Sequence, residues 1–278
     1  MSEVEPAWPK ISVVTISYNQ GKFLEDTIKS VVSQNYPNLE YIIIDGGSTD
    51  NSPEIIKRFS NQLSFWCSEP DAGPAGGLNK GFRHVTGDIL AFLNADDLFL
   101  PGTLKRAVEL FRRHPTADVV FGDGYLTDSA GELRKPTYSD DWNLWRLAYG
   151  TCVIVQPATF FTRAIFEKTK GFNEHYRAFW DASLWVDMAL AGAKFHHEKE
   201  FLAVFRLHNL SITGSGREDK EESRVEDELF ERIVGRPRRA SDKLLSWVLR
   251  VVKFLGHPRW SLNYKLFLRS IQRGDRLG

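Results

Sequence analysis

The sequence predicts an α/β protein in which a mostly parallel β-sheet is covered by helices on both faces. Short runs of β-branched and other apolar residues alternate with helical segments along the first half of the chain. Strand, helix and strand in this rhythm are typical of βαβ units. Acidic or amide residues follow directly after these runs, so polar side chains are expected along one rim of the sheet.

The first βα unit shows the pattern clearly. Residues 11–18 form a β-branched run that is bounded by Pro9 and by Asn19-Gln20-Gly21. A helix is predicted at 23–34, because four apolar residues recur there on one helical face.

The later elements are predicted from the same signals. Further strands are expected at 39–45, 63–69, 88–94, 117–123, 156–162 and 195–207. Helices are expected at 52–60, 180–191 and 217–234. The stretch 124–150 interrupts the rhythm with turn-forming and aromatic residues.

Composition excludes several classes of protein. A formal net charge of zero over 278 residues argues against a nucleic-acid partner. Only Cys67 and Cys152 are present, too few for a disulfide framework, which indicates a reducing compartment such as the cytoplasm. The N-terminus lacks the apolar core of a signal peptide, and no stretch approaches the roughly 18 apolar residues of a membrane span.

The C-terminal region differs from the rest of the chain. Gly235-Arg236-Pro237 is the predicted boundary between a domain at 1–235 and a basic amphipathic helical tail at 236–278. The tail holds eleven Lys or Arg against two Asp, a net charge of +9. Its interleaved aromatic and basic residues are typical of a helix on an anionic membrane surface. Packing on the domain or on a second subunit is the alternative, and the oligomeric state is left open.

Five predicted strands direct polar residues to one rim. These residues are Ser17, Tyr18 and Asn19 after the first strand, Asp45 after the second, Glu69 and Asp71 after the third, Asn94, Asp96 and Asp97 after the fourth, and Asp123 after the fifth. Clustered carboxylates raise one another's pKa unless a cation lies among them. Mg²⁺ or Mn²⁺ suits such oxygen ligands and would carry a diphosphate. The alternative is that Asp96 and Asp97 only cap the helix that starts near Pro101.

Three stretches together resemble a known family. "SYNQGKFLEDTIKSVVSQNYPNLEYIIIDGGSTD", "SEPDAGPAGGLNKGFRHVTGDILAFLNADD" and "AFWDASLW" are similar, in order and spacing, to inverting family 2 glycosyltransferases of the GT-A fold. The resemblance covers about residues 10–210. It implies a Rossmann-like GT-A sheet flanked by helices, here followed by a C-terminal helical extension.

The resemblance also implies which residues bind the nucleotide-sugar donor. The end of the first strand would line the nucleotide pocket, Asp45 would contact the base, the "DAGPAGGLNKG" segment would add donor contacts, and Asp96 would face the ribose or sugar. The donor-binding set implied is therefore Thr15, Ser17, Tyr18, Asn19, Asp45, Asp71, Asn79, Lys80, Asp96 and Arg206.

Metal and catalytic roles follow from the same resemblance. Asp97 of the DxD-type motif would hold Mn²⁺ or Mg²⁺, and His208 of an RxH-like element would touch the metal or the diphosphate. Asp181 matches the general base that removes a proton from the acceptor hydroxyl. Many relatives carry an acidic pair at that position, whereas Trp180 precedes Asp181 here. Asp187 and Glu174 are therefore alternative bases.

The predicted function is metal-dependent inverting transfer of a sugar from a nucleoside-diphosphate-sugar to a glycan or lipid-linked acceptor, in bacterial surface polysaccharide synthesis. The protein is expected in the cytoplasm, peripherally attached to the inner face of the membrane through its tail. A non-catalytic nucleotide-sugar or glycan binding protein is the main alternative. A sugar nucleotidyltransferase is less favoured, because "SYNQGKF" is not a Gly-rich, Arg-containing phosphate loop.

Overall fold

A computed structural model describes residues 7–209, 211–213 and 219–256 of the chain. It has the α/β architecture that the sequence predicts. The strands are β1 (Ile11–Ser17), β2 (Leu39–Asp45), β3 (Phe65–Ser68), β4 (Ile89–Asn94), β5 (Leu98–Phe99), β6 (Val119–Thr127), β7 (Leu133–Thr137), β8 (Thr159–Thr162) and β9 (Phe195–Arg206). The helices are α1 (Gly21–Val32), α2 (Ser52–Arg58), α3 (Pro74–Phe82), α4 (Thr103–Arg113), α5 (Leu144–Ala148), α6 (Arg163–Phe166), α7 (Trp180–Leu190), α8 (Asp219–Val234) and α9 (Ala240–Gly256).

The nine strands of the described residues belong to one sheet. Its order is β3-β2-β1-β4-β8-β6-β9-β5, and β7 pairs with β6. The four strands β1 to β4 are mutually parallel, whereas β8 is antiparallel to both β4 and β6. Ser17 pairs with Asp45, and Ile16 pairs with Asn94, so the carboxyl ends of β1, β2 and β4 lie side by side.

The two faces of the sheet form two hydrophobic cores. Alternate residues of a strand point to opposite faces, so Val13 packs with α1, α2 and α4 while Val14 packs with α3 and α7. Both residues are fully buried. Because both faces are covered, the central strands lack the polar alternation of a half-exposed sheet.

The predicted end of the fifth strand is wrong. Strand β6 continues past Asp123 to Thr127, and Asp123 therefore lies within the strand and not at its carboxyl end. The Gly-Asp-Gly sequence does not break this strand. A side chain at Gly122 would lie 2.5 Å from the carbonyl oxygen of Glu200, and one at Gly124 would lie 3.1 Å from that of Ala203. Glycine is needed because β9 approaches closely.

The region at 124–150 also contains more regular structure than its composition predicts. Strand β7 pairs antiparallel with β6, and α5 begins at a cap in which Asn143 accepts a hydrogen bond from the backbone N–H of Arg146. The polar and aromatic residues there thus form a strand pair and a short capped helix.

Helix α9 begins the predicted tail and packs on the preceding domain. Helix α8 ends at Val234, and Gly235 has a φ of +78°, which is the left-handed conformation common after a helix. Arg250 then pairs with Glu226 of α8, and Lys253 pairs with Asp140. These contacts match the alternative in which the tail packs on the domain. Residues 257–278, which carry the rest of the tail, lie outside the described residues.

Candidate active site

Asp45 lies at the carboxyl end of β2 and is fully buried. Its Oδ1 accepts a hydrogen bond from the Ser48 hydroxyl at 2.5 Å. Its Oδ2 accepts from the Ser48 backbone N–H at 2.9 Å and from the Ser68 hydroxyl at 2.7 Å. These donors fix the carboxylate at the rim between β1 and β3.

The loops after β1 and β2 are held together by a reciprocal pair of contacts. The backbone N–H of Asn19 donates to the Ser48 hydroxyl at 2.7 Å, and Asn19 Oδ1 accepts from the Thr49 N–H at 2.9 Å. Asn19 has a φ of +53°, which is uncommon for a residue other than glycine. Such strain persists where the surroundings impose it, often at functional sites.

The other predicted residues of β1 differ in their exposure. Thr15 is fully buried and its hydroxyl is hydrogen-bonded to the Tyr41 hydroxyl at 3.0 Å, so its side chain lies in the core and not at the rim. Tyr18 is exposed. Ser17 is buried at the strand end, and its hydroxyl has no hydrogen-bond partner within the described part of the chain. An unpaired buried hydroxyl at this rim is available to a ligand.

Asp71 lies against the backbone beside Asp45. A side chain at Gly46 or at Gly77 would come within 3.0 Å of Asp71 Oδ2, so both glycines allow this close approach. Asp71 Oδ1 accepts a hydrogen bond from the Gly73 N–H at 2.7 Å. The start of α3 is thereby held next to the end of β2.

Two residues of α3, Asn79 and Lys80, were predicted to contact the nucleotide-sugar donor, and their environments differ. Lys80 forms an ion pair with Glu69 at 2.5 Å, just after β3. Asn79 instead donates to the Phe172 carbonyl oxygen and to Glu174, and accepts from the Phe172 N–H, each at 2.8 Å. The structure therefore places Asn79 against the loop before α7 and engages its amide there.

Asp96 and Asp97 follow β4, and each contacts a residue at or just after the end of β9. Asp96 Oδ2 lies 3.0 Å from His208 Nε2. Asp97 is fully buried, and its Oδ1 accepts the backbone N–H of Arg206 at 3.0 Å. Residues more than a hundred positions apart thus meet at one rim, and the Asp-Asp motif lies beside Arg206 and His208.

The electrostatics of this pair favour binding of a cation. Burial, reinforced by the charge of neighbouring Asp96, raises the pKa of Asp97 well above its usual range, and the hydrogen bonds from Arg206 and Asn94 only partly offset this. Asn94 Oδ1 is buried and has no hydrogen-bond partner among the described residues. A divalent cation relieves both conditions, since it favours ionised carboxylates and takes amide oxygens as ligands.

The set of possible metal ligands fits a divalent cation of the Mn²⁺ or Mg²⁺ type. Carboxylate, amide oxygen and water suit both ions, and the imidazole of His208 adds a ligand that first-row transition metals accept more readily than Mg²⁺. Asp96, Asp97, Asn94 and His208 are the residues that could hold it.

Phe23 of α1 packs against Arg206, the last residue of β9, and against His208 just after this strand. The His208 ring lies 4.4 Å from the Phe23 ring centroid, and the Arg206 guanidinium lies 4.8 Å from it. Arg206 is also 3.6 Å from Asp26. Phe23 is the first residue of the helix predicted at 23–34, and no motif indicated that it would contact site residues.

Asp181 lies in the first turn of α7. Burial raises its pKa, and the N–H groups of Ala182 and of Asp181 itself only partly lower it. The preceding residue, Phe179, has a φ of +61°. A strained N-cap before a desolvated carboxyl group is typical of a functional position. Trp180 and Trp185 beside it are buried in the core, so their indole rings are not open to stacking on a sugar.

Arg177 connects the segment before α7 to the loop that holds Asp71. Its guanidinium donates to the Ala72 carbonyl oxygen at 2.8 Å and lies against Gly73. The segment that leads into Asp181 is therefore in contact with the Asp71 loop. Arg177 was not identified from the sequence, where nothing distinguishes it from other surface basic residues.

The two alternative bases are engaged elsewhere. Asp187 pairs with Arg232 of α8, and Glu174 accepts a hydrogen bond from Asn79.

Gln156 is a further residue that sequence reasoning missed. It is hydrogen-bonded to the end of β4, because its side-chain amide donates to the Phe92 carbonyl oxygen at 2.9 Å and its Oε1 lies 3.3 Å from the Asn94 side-chain nitrogen.

A family model provides independent support for the resemblance. Residues 12–178 match the model described as "Glycosyl transferase family 2". This match covers more than half of the chain. The chain belongs to glycosyltransferase family 2, as the sequence predicts.

Curated relatives agree with this assignment. An uncharacterized glycosyltransferase of Nostoc is 30% identical over 211 residues, which cover 72% of this chain and 65% of the relative. A putative teichuronic acid biosynthesis glycosyltransferase of Bacillus subtilis, TuaG, is 26% identical, with 74% and 82% covered. An uncharacterized glycosyltransferase of Mycobacterium tuberculosis is 32% identical over 59% of this chain and 63% of its own. The chain thus spans slightly less than two thirds of the Nostoc and Mycobacterium relatives.

Solved structures confirm the GT-A type of fold. TarS of S. aureus, residues 1–349 in complex with UDP-GlcNAc, matches with a TM-score of 0.62 and 17% identity, covering 81% of this chain and 71% of TarS. The mannosyltransferase PcManGT of Pyrobaculum calidifontis, in complex with GDP-Man and Mn²⁺, matches with a TM-score of 0.62 and 20% identity, covering 90% and 70%.

Proposed function

We propose that this protein is a metal-dependent inverting glycosyltransferase that moves a sugar from a nucleoside-diphosphate-sugar to a glycan or lipid-linked acceptor. The carrying observation is the contact of Asp96 with His208 and of Asp97 with the Arg206 backbone. This acidic pair lies on the rim where Asp45 also ends a strand. Family membership and the nucleotide-sugar complexes of TarS and PcManGT support the choice of donor class.

The donor would lie along the carboxyl ends of β1, β2 and β4. Asp45 has a buried carboxylate that is already oriented by Ser48 and Ser68, so it can accept an N–H of the base without further ordering. Ser17 would add a hydroxyl, and Asn19 and Tyr18 would line the pocket. Asp71 and Lys80 would contact the donor nearer to α3.

The metal would be held by Asp96, Asp97, Asn94 and His208, and when bound it would neutralise negative charge on the leaving diphosphate. Arg206 holds the pair in place, since its N–H binds Asp97 while its side chain packs on Phe23. Phe23 in turn limits the motion of His208.

Asp181 is the proposed general base. Burial raises the pKa of Asp181, which makes its carboxylate a stronger base and brings its pKa closer to neutral pH, where a general base works best. The acceptor oxygen would form its bond to the anomeric carbon while the bond from that carbon to the diphosphate oxygen breaks. The acceptor proton passes to Asp181 and the bonding electron pair leaves with the diphosphate. One such displacement inverts the anomeric centre.

The biological setting is proposed from the relatives. TuaG is named for teichuronic acid biosynthesis, and it is covered over 82% of its length. We therefore propose bacterial surface polysaccharide synthesis as the process. The acceptor would be a growing glycan or its lipid-linked precursor.

A thermal-shift panel of nucleoside diphosphates, with and without Mn²⁺, tests the donor site. One nucleotide should raise the melting temperature in Mn²⁺ and much less in its absence. The matching nucleotide-sugar should then be consumed with an acceptor, and NMR of the product should show an inverted anomeric centre. Binding without transfer to any acceptor would favour a non-catalytic binding protein. No Mn²⁺-dependent shift with any nucleotide would contradict the proposal.

Helix α9 supports peripheral membrane attachment. In the described ranges, no helix is long and apolar enough to cross a membrane. The helix turns Asp242, Ser246 and Lys253 towards the protein and exposes six of its apolar residues, with Trp247 63% and Leu255 68% exposed. Burial of the polar face and exposure of the apolar face is the reverse of a helix that packs on a core.

An anionic membrane is the occupant that the charge favours. The basic residues of α9 that contact the domain are paired, as Arg250 is with Glu226. Residues 257–278 add five Lys or Arg against one Asp, together with Trp260, Tyr264 and Phe267. Each basic residue near an anionic surface contributes about 1 kcal/mol. Tail and helix would hold the enzyme at the inner face of the membrane, where a lipid-linked acceptor is presented.

Vesicle sedimentation tests this attachment. Wild-type protein should sediment with phosphatidylglycerol vesicles at low salt, and Trp247→Glu with Leu255→Glu should abolish sedimentation. Leu190→Glu, at an exposed apolar residue of α7, is the matched control and should sediment like wild type. If the double variant changes the oligomeric state but not sedimentation, α9 is a contact between copies and membrane attachment is wrong.

A further inference from the structure

Three metal-ligating side chains form a cluster far from the candidate active site. They are His114, His196 and Glu198, and one ligand atom from each lies within 4.8 Å of the others. His196 Nε2 is 3.8 Å and His114 Nε2 is 3.9 Å from Glu198 Oε2. Three ligands of a tetrahedral Zn²⁺ lie about 3.3 Å apart, so small side-chain rotations would complete the arrangement.

Secondary structure pre-forms this cluster. His196 and Glu198 are two residues apart on β9, and their side chains meet on the same side of the strand. His114 is the C-cap of α4, and its ring stacks on that of His196 with centroids 3.4 Å apart. Helix end and strand therefore present the three ligands without a loop between them, which reduces the ordering that binding requires.

Solvent can reach this cluster. The rings are each 34% exposed and Glu198 is 23% exposed, so a water molecule could complete the coordination. Arg113 Nη2, 3.7 Å from Glu198 Oε2, is the one cationic group that competes within the described structure near this carboxylate.

We propose that His114, His196 and Glu198 bind Zn²⁺ or a similar transition-metal ion, which clamps the end of α4 to β9. The set of two imidazoles and one carboxylate is typical of zinc and not of the oxygen-only sites that Mg²⁺ prefers. Ten residues of β9 separate His196 from Arg206 at the candidate active site, roughly 30 Å along a strand. The clamp is therefore distinct from the catalytic metal and independent of the proposed transfer reaction.

Co²⁺ absorption spectroscopy on nucleotide-free protein tests the clamp. Wild-type protein with Co²⁺ should show the strong visible absorption of low-coordinate nitrogen and oxygen ligation, and Zn²⁺ should remove it. His114→Gln and His196→Gln should each abolish the absorption, and His175→Gln, at an exposed histidine outside the cluster, should keep it.

Arg113→Gln provides a test in the opposite direction. Because it removes the competing cation from Glu198, Co²⁺ should bind more tightly, by severalfold, without loss of folding. Zn²⁺ should raise the melting temperature of the wild type and of Arg113→Gln but not of His196→Gln. Equal Co²⁺ binding by wild type and both histidine variants, or no binding by wild type and Arg113→Gln, would overturn the proposal.

Discussion

Glu40, in β2, and Asp97, in the turn between β4 and β5, are two buried carboxyl groups whose pKa values are shifted in opposite directions. Glu40 lies near the amino end of β2, where its charge is satisfied by the hydroxyl of Ser12, by the hydroxyl and N–H of Thr86, and by Lys10. Burial raises the pKa of Glu40, but these hydrogen bonds outweigh it and lower the pKa from 4.5 to about 2. Its environment stabilises the ionised form.

Asp97 has too few donors for its burial. It accepts the Arg206 N–H at 3.0 Å and a long contact from Asn94 at 3.4 Å, while Asp96 adds a negative charge. The pKa of Asp97 is raised well above its usual range as a result. A buried carboxyl group that the fold satisfies is structural, whereas one that the fold leaves unsatisfied is prepared for a ligand. Burial alone does not distinguish the two.

Exchanging each acid for its amide should give the largest and most contrasting effects. Asp97→Asn should reduce transfer by about 10²- to 10³-fold, corresponding to the several kcal/mol that a metal contributes. It should leave folding stability unchanged or raise it, since a buried unsatisfied charge is removed. Steady-state kinetics and urea unfolding without added metal measure the two effects.

Glu40→Gln should show the reverse pattern. It should cost about 2–3 kcal/mol of unfolding free energy, because lowering the pKa of Glu40 from 4.5 to about 2 corresponds to about 3 kcal/mol. Transfer by the folded fraction should stay near the wild-type value. A stable Glu40→Gln with little activity would break the distinction between the two acids.

Asp181 extends the comparison to a half-buried carboxyl group with a raised pKa. Asp181→Asn should lower kcat by about 10²- to 10⁴-fold, the usual contribution of a general base. The affinity for the nucleoside diphosphate should not change, as measured by calorimetry. Asp187→Asn is the matched control on the same helix. Transfer that survives in Asp181→Asn but fails in Asp187→Asn would move the role to Asp187.

The pH dependence of stability should report Glu40. Because its folded pKa is lowered to about 2, its contribution is present above the unfolded value of about 4.5 and is lost as the pH falls towards 2. The difference in unfolding free energy between wild type and Glu40→Gln should therefore shrink from pH 5 to pH 2. A difference that stays constant over this range would show that the charge of Glu40 is not what stabilises the fold.

Lys80 should give the smallest effect on stability. Its ion pair joins a half-buried lysine to the exposed Glu69 at the protein surface, so Lys80→Gln should change the unfolding free energy by about 0–1 kcal/mol. If Lys80 contacts the donor, KM for the nucleotide-sugar should rise by about tenfold, as for a lost charge-assisted hydrogen bond. Glu69→Gln should not raise KM. An increase of the same size in both variants would assign Lys80 to positioning the loop only.

The strands and their order along the chain were largely predictable, because burial on both faces requires continuous apolar runs. The predicted runs that became β1, β2 and β4 agree with the structure within one residue. Strand β6 was cut short in the prediction, since a Gly-Asp-Gly sequence is typical of a turn, and the close approach of β9 that demands these glycines is a long-range feature.

Local sequence also placed Asp45, Asp96 and Asp97 after strands, and strand direction then puts them at one rim. The environment of a buried acid, however, depends on partners far away in the chain. The Arg206 N–H is such a partner for Asp97, and Thr86 is one for Glu40. Neighbouring elements also decide that the Asn79 amide is hydrogen-bonded to Phe172, and that α9 packs on the domain through polar residues while apolar residues stay exposed. Hydrophobic periodicity is a property of adjacent residues, so it is legible in the chain. The satisfaction of a buried charge depends on which distant donors the packing brings within 3 Å, and that is settled in three dimensions.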